Sequence, residues 1–153
     1  MLIDIYKGKA GLSPLFSVIL DIDFYDGPTE AICKLVDTEK WVICSLVYID
    51  FTNRQRIFSM LEVGEQWLSE LRPLVEKYKS GSMDSFEAIK SNVEFMFDNY
   101  KDDAYLFKSD SLRAKDYEIV QVPIEYLKYF RDIEEVIEQD DAAKSKWIGF
   151  FRK

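Results

Sequence analysis

Three apolar runs follow one another with only turn residues between them: Leu15 to Phe24, Glu30 to Val36 and Trp41 to Asp50. Each is rich in Val, Ile, Leu, Phe or Tyr and has the length of a strand. The first connection holds Asp26-Gly27, a dipeptide that tolerates the positive φ angles of a type I′ hairpin turn, and the second holds Thr38-Glu39. Connections this short allow only antiparallel pairing, because a parallel pair needs a long crossover.

Treating the two dipeptides as two-residue loops sets a register. Val18, Leu20 and Ile22 then fall opposite Leu35, Cys33 and Ala31, and these fall opposite Val42, Cys44 and Leu46. Two independent turns thus line up one apolar face, whereas a slip of one residue would point those side chains away from each other. The reverse face mixes Asp21, Asp23, Glu30 and Lys34 with Ile32, Ile43 and Trp41, so it is expected to be only partly covered. Arg56 to Val63 is expected as a fourth strand, after the loop Thr52-Asn53-Arg54-Gln55.

Helical periodicity then takes over. Trp67, Leu68, Leu71, Leu74, Val75 and Tyr78 keep i, i+3, i+4 spacing, with Pro73 expected to end or kink the helix because it lacks the donor N–H. Ser80-Gly81-Ser82 closes it. Asp84 with Glu87 resembles a capping box, followed by an apolar stripe of Phe86, Ile89, Val93, Met96, Phe97 and Tyr100. Residues 104–108 and 117–122 read as short strands, and Pro123 opens a last helix to about Gln139 whose stripe is Leu127, Phe130, Ile133 and Ile137. The expected fold is therefore a single α+β domain over 1–153. It has an antiparallel β-meander of about four N-terminal strands, with 104–108 and 117–122 as candidate extensions, packed against two to three α-helices.

Composition narrows the function classes. The chain has 153 residues, enough to bury a sizeable core, and its 48% hydrophobic and 31% charged content is globular. A net charge of -8 disfavours non-specific binding to nucleic acid or to an anionic membrane face, and favours basic partners if it favours any. With no His, the commonest general base and the commonest metal ligand are both missing. The start has Asp4 and Lys7 within its short apolar stretch, and the best apolar run, Trp41 to Ile49, is far below the roughly 20 residues of a membrane span. A cytoplasmic protein with reduced Cys33 and Cys44 is expected.

Several constellations have a bland reading that outweighs the sharp one. Val18-Ile19-Leu20-Asp21-Ile22-Asp23 resembles the first motif of haloacid-dehalogenase-type phosphatases, with Asp140-Asp141 as an acidic pair. That chemistry needs a parallel strand feeding a crossover, whereas Asp26-Gly27 turns this chain straight back. Asp21, Asp23 and Asp26-Gly27 fail as a calcium loop, because the twelfth position is Ile32 and the flanks are strands. Cys33 and Cys44 read as buried small hydrophobes, and two thiols without His make a poor zinc site. No cofactor, metal site or catalytic residue is expected.

The order of strand, Tyr25-Asp26-Gly27-Pro28, strand, polar turn and two further strands, then Trp67-Leu68 and Ser80-Gly81-Ser82-Met83-Asp84-Ser85, resembles an uncharacterised bacterial domain family with a YDGP-type hairpin, over Val18 to Phe107. The resemblance implies the meander and a bacterial cytosolic origin, and it brings no catalytic residues.

What remains is contact chemistry. Aromatic residues are 15% of the chain, more than a core this size readily encloses, and Tyr and Trp left near the surface favour partner contacts. The expectation is a non-enzymatic protein–protein interaction module, or a homo-oligomer, without nucleic-acid or membrane binding. The candidate partner-binding residues are Asp132, Glu134, Glu135 and Glu138 on the last helix, Asp140 and Asp141 beyond it, and Trp147 in the tail. Two alternatives stand beside it: an immunity-type inhibitor covering a basic toxin, and an enzyme using carboxylates such as Asp21, Asp23 and Glu30 in a concave pocket.

Overall fold

The computed structural model describes residues 5–9, 15–24, 28–50, 53–102, 104–112, 116–125 and 127. Seven strands are present among them: β1 (Ile5–Lys9), β2 (Phe16–Phe24), β3 (Pro28–Leu35), β4 (Trp41–Asp50), β5 (Gln55–Glu62), β6 (Ala104–Ser109) and β7 (Asp116–Val122). Two helices, α1 (Glu65–Lys79) and α2 (Ser85–Asp98), lie between β5 and β6. The strands form one antiparallel sheet in the order β1-β7-β6-β5-β4-β3-β2. The chain is α+β with a meander, and both C-terminal strands do extend the sheet.

The expected pairing of β3 with β4 is displaced by two residues. Cys33 lies opposite Val42, and Cys44 opposite Ala31. The cause is a longer turn: Leu35 N–H donates to Lys40 O at 2.8 Å, so four residues rather than two reverse the chain, and Glu39 takes the positive φ of 60° that ends such a loop. A shift of two keeps each side chain on its face, so Ala31, Cys33, Val42, Cys44 and Leu46 still share one apolar surface. On β2 the pairing differs already at Val18, expected opposite Leu35 and found opposite Cys33, and a register shift between Val18 and Leu20 then places Leu20 opposite Ile32. Leu20 and Ile22 thereby pack on the other face, beside the helices. Phe24 pairs with Pro28, leaving three residues between the strands.

The expectation that α1 ends at Pro73 is corrected: the helix runs on to Lys79 through the proline. Its missing donor deprives only the Ser69 carbonyl; both residues are on the exposed side, where water can serve. Leu71 and Val75, on either side of the proline, are buried and hold the helix against the sheet. Nor does the capping box form at α2. The backbone at Asp84 is already helical (φ -64°, ψ -25°), so its carboxylate caps nothing, and tight turns from Ser85 N–H to Ser82 O and Phe86 N–H to Met83 O lead into the helix instead.

Both faces of the sheet are core. One face packs α1 and α2 through Ile32, Ile43, Ile57, Leu61, Val63, Leu106 and Val120 against Leu71, Val75, Ile89, Val93 and Met96. On the other face, Phe16 of β2 meets Phe107 of β6 edge-on with ring centroids 4.9 Å apart. These strands are four spacings apart in the sheet order. In a flat sheet that is about 19 Å, far beyond the reach of two phenylalanine rings. The sheet is therefore curled, with this face inside. Connectivity demands the same: β1 and β2 sit on opposite edges, about 29 Å apart if flat, yet the seven steps from Lys9 to Phe16 span at most about 25 Å.

Small side chains on one wall, Ala31, Cys33 and Cys44, leave room for rings from the other. Phe58 and Tyr117 flank Phe107 at 6.4 and 5.5 Å. The aromatic content that looked excessive for a simple two-layer core is partly absorbed here.

Candidate functional site

The residues selected on acidity, Asp132, Glu134, Glu135, Glu138, Asp140, Asp141 and Trp147, all lie outside the described residues. Only the start of that segment is described. Ile124, Glu125 and Leu127 are helical, and Ile124 and Leu127 are buried in the helix-side core, as the apolar stripe requires.

The carboxylates of the alternative reading are partly brought together. Asp23 lies opposite Glu30 across β2 and β3, whereas Asp21 lies opposite Ala31. Ser45 Oγ donates to Glu30 Oε2 at 3.2 Å, and Ser59 Oγ donates to the Ser45 carbonyl at 3.4 Å, so a polar row runs from β2 to β5. Asp21 and Asp23 are exposed. A groove of about 410 Å³ lies elsewhere, lined by Pro73, Glu76, Lys77, Ser80 and Ser82, and contains none of these three carboxylates.

The two thiols are neighbours on the curled inner face, both buried. Burial pushes the Cys44 thiol up, helped by a hydrogen bond with Cys33 and by the charge Cys33 would carry. Such thiols are poor nucleophiles. Among the described residues no cluster of three or more His, Cys, Asp or Glu side chains is placed to hold a metal ion. No helix among them is long and apolar enough to cross a membrane.

The surface feature that needs an explanation is on the helical hairpin. Among the described residues three large hydrophobic side chains are exposed: Val36 at 43%, Met83 at 71% and Phe95 at 59%. Val36 and Met83 sit in turns. Phe95 is different, because it projects from the second half of α2 and is braced by half-buried Trp67 of α1, edge-on, with centroids 5.6 Å apart. Trp67 packs in turn against the helix-side core. The result is a rigid aromatic step on a regular element.

Its surroundings are acidic. On α2, exposed Glu94 adjoins Phe95 and exposed Asp98 lies one turn on; on α1, exposed Glu70 lies one turn from Trp67, and Glu65 starts the helix. Two other aromatics of this region carry the chain's own cations: Arg72 sits over the Trp41 ring at 5.4 Å, and Lys90 over the Phe86 ring at 5.8 Å. Among the described residues no cation lies over Phe95.

Reading the sequence for acidity missed this place, although a signal was present. Phe95 falls off the stripe of Ile89, Val93, Met96 and Tyr100, so periodicity alone put a large ring in water.

No protein-family model matches the chain, including over the Val18 to Phe107 stretch of the YDGP-type resemblance, and neither the curated proteins nor the solved structures contain a match.

Proposed function

We propose that this chain is a protein–protein interaction module and that its contact surface is the outer face of the α1–α2 hairpin, centred on Trp67 and Phe95. One observation carries the reading: an aromatic ring that is 59% exposed stands on a helix and is held in place by a second aromatic. Leaving such a ring in water forgoes burial free energy, and aromatic side chains on rigid elements are what interfaces use as anchors. The acidic rim fits the polar border that surrounds such anchors.

The narrower reading, an inhibitor that covers a basic toxin, would add the acidic segment 132–141 to this surface. The carboxylate-enzyme reading would use Asp23 and Glu30; nothing in the groove or the polar row favours it over contact at Phe95.

The test is a photo-crosslinking amino acid placed at position 95 in the producing cell, with the same group at exposed Lys77 as the control. A discrete adduct from position 95 and none from position 77 is expected. A second copy of the chain in the adduct would make the module a homo-oligomer. No adduct, or the same adducts from both positions, would overturn the reading.

A further inference from the structure

Resting on that reading, we infer that the partner offers a basic segment and that an arginine from it lies over the exposed face of the Phe95 ring. The surface makes this specific. A ring face carries negative electrostatic potential and attracts a cation placed over it. The chain satisfies that preference on the same side of the fold by its own means, with Arg72 on Trp41 and Lys90 on Phe86. Phe95, the most exposed aromatic described, makes an edge contact with Trp67, and no cation lies over it among the described residues.

The side chains around it are of the sign that would complete such a contact. Exposed Glu94 adjoins Phe95 on α2, and exposed Glu65 and Glu70 lie within a turn of Trp67 on α1, while among the described residues no cation lies over the ring. A guanidinium is planar, stacks on an aromatic face and can at the same time pair with a carboxylate through its N–H fork; a lysine ammonium does only part of this. The overall charge of -8 would steer a basic segment toward the molecule, and the local rim would hold it at this place. The occupant is thus a flexible or extended arginine-bearing segment of another protein, not an apolar surface.

A short peptide of alternating arginine and alanine serves as the probe, titrated into the full-length protein at low salt and followed by backbone amide shifts. Its lysine counterpart is the comparison. Shifts centred on residues 91–99 and 65–70, with the arginine peptide tighter than the lysine one, are expected. Phe95→Ser should weaken binding about three- to fivefold, the scale of an exposed cation–π contact, and Phe95→Trp should tighten it because indole is the better partner. Thermal melting of both variants checks that the fold is kept.

Binding that ignores both substitutions would show attraction to an acidic surface only, and would overturn the inference. So would the absence of binding, or shifts centred elsewhere. These failures are separable from that of the interaction reading: a discrete crosslink from position 95 to a partner whose binding is indifferent to salt and to Phe95→Trp would keep the module and discard the arginine.

Discussion

Replacing Phe16 with alanine tests the curl of the sheet. In a flat seven-stranded sheet β2 is an edge strand, and truncating a side chain near its start would cost little. In the structure Phe16 is 1% exposed and meets Phe107 at 4.9 Å from across the concave face. A phenylalanine buries about 150–250 Å², and at about 25 cal/mol per Å² the ring beyond the retained methyl accounts for about 3 kcal/mol. The edge-to-face pair adds about 1 kcal/mol, for a total of about 4 kcal/mol, inside the usual range for such truncations. For a chain of this length that is a fall in melting temperature of about 12 °C. Urea denaturation of Phe16→Ala measures the cost, and the exposed neighbour Ser17→Ala should change stability by less than about 0.5 kcal/mol. The decisive assay is the double-mutant cycle with Phe107→Ala. Contact across the curl predicts a coupling of about 1 kcal/mol, whereas residues separated by four strand spacings would be additive. A cost below about 1 kcal/mol together with additivity would refute the curled arrangement.

Tyr100 accepts a hydrogen bond from the Glu62 amide at 3.1 Å; burial pushes its pKa up to about 12, opposed by that hydrogen bond and aided by the Asp102 and Glu62 charges. Because the folded state holds the phenolic proton more tightly than the unfolded chain, this contribution is complete below the ordinary value of about 10 and is lost as pH rises from there to about 12. Tyr100→Phe should flatten that part of the stability profile and cost about 1 kcal/mol at neutral pH through the orphaned amide; phenolate absorbance showing every tyrosine ionising near the ordinary value would contradict it. Cys33 and Cys44, buried with Cys44 shifted upward, should resist a thiol reagent in the folded protein and react at once in urea, and rapid labelling without denaturant would count against their placement.

The local patterns were legible because they depend on near neighbours. Runs of β-formers bounded by turn residues located β2 to β7 to within about two residues, and 3.6-residue periodicity located α1 and α2, since pleat and helix period are written residue by residue. β1 was missed: Ile5-Tyr6-Lys7-Gly8-Lys9 has little apolar alternation, and it is a strand because β7 offers it a free edge. The four-residue turn at Val36–Glu39 was read as a two-residue one, because Glu39 adopts positive φ without the glycine or asparagine that usually announces it. Faces survived that error on β3 and β4, where the shift was two residues, and did not survive the bulges of β2, which turned Leu20 and Ile22 to the helix side.

The chain's order of short connections, its alternation and its helical stripes determined by themselves that strands reverse on one another and that a helical pair follows. Whether the sheet stays flat or rolls up was decided only in three dimensions, by small residues on β3 and β4 facing rings from β2 and β6, a contact between positions ninety-one residues apart that no local pattern encodes. The candidate contact surface divides the same way. That Phe95 breaks its stripe is a property of the string, but its bracing by Trp67, like the placing of cations over Trp41 and Phe86, comes from the packing of two helices on that sheet.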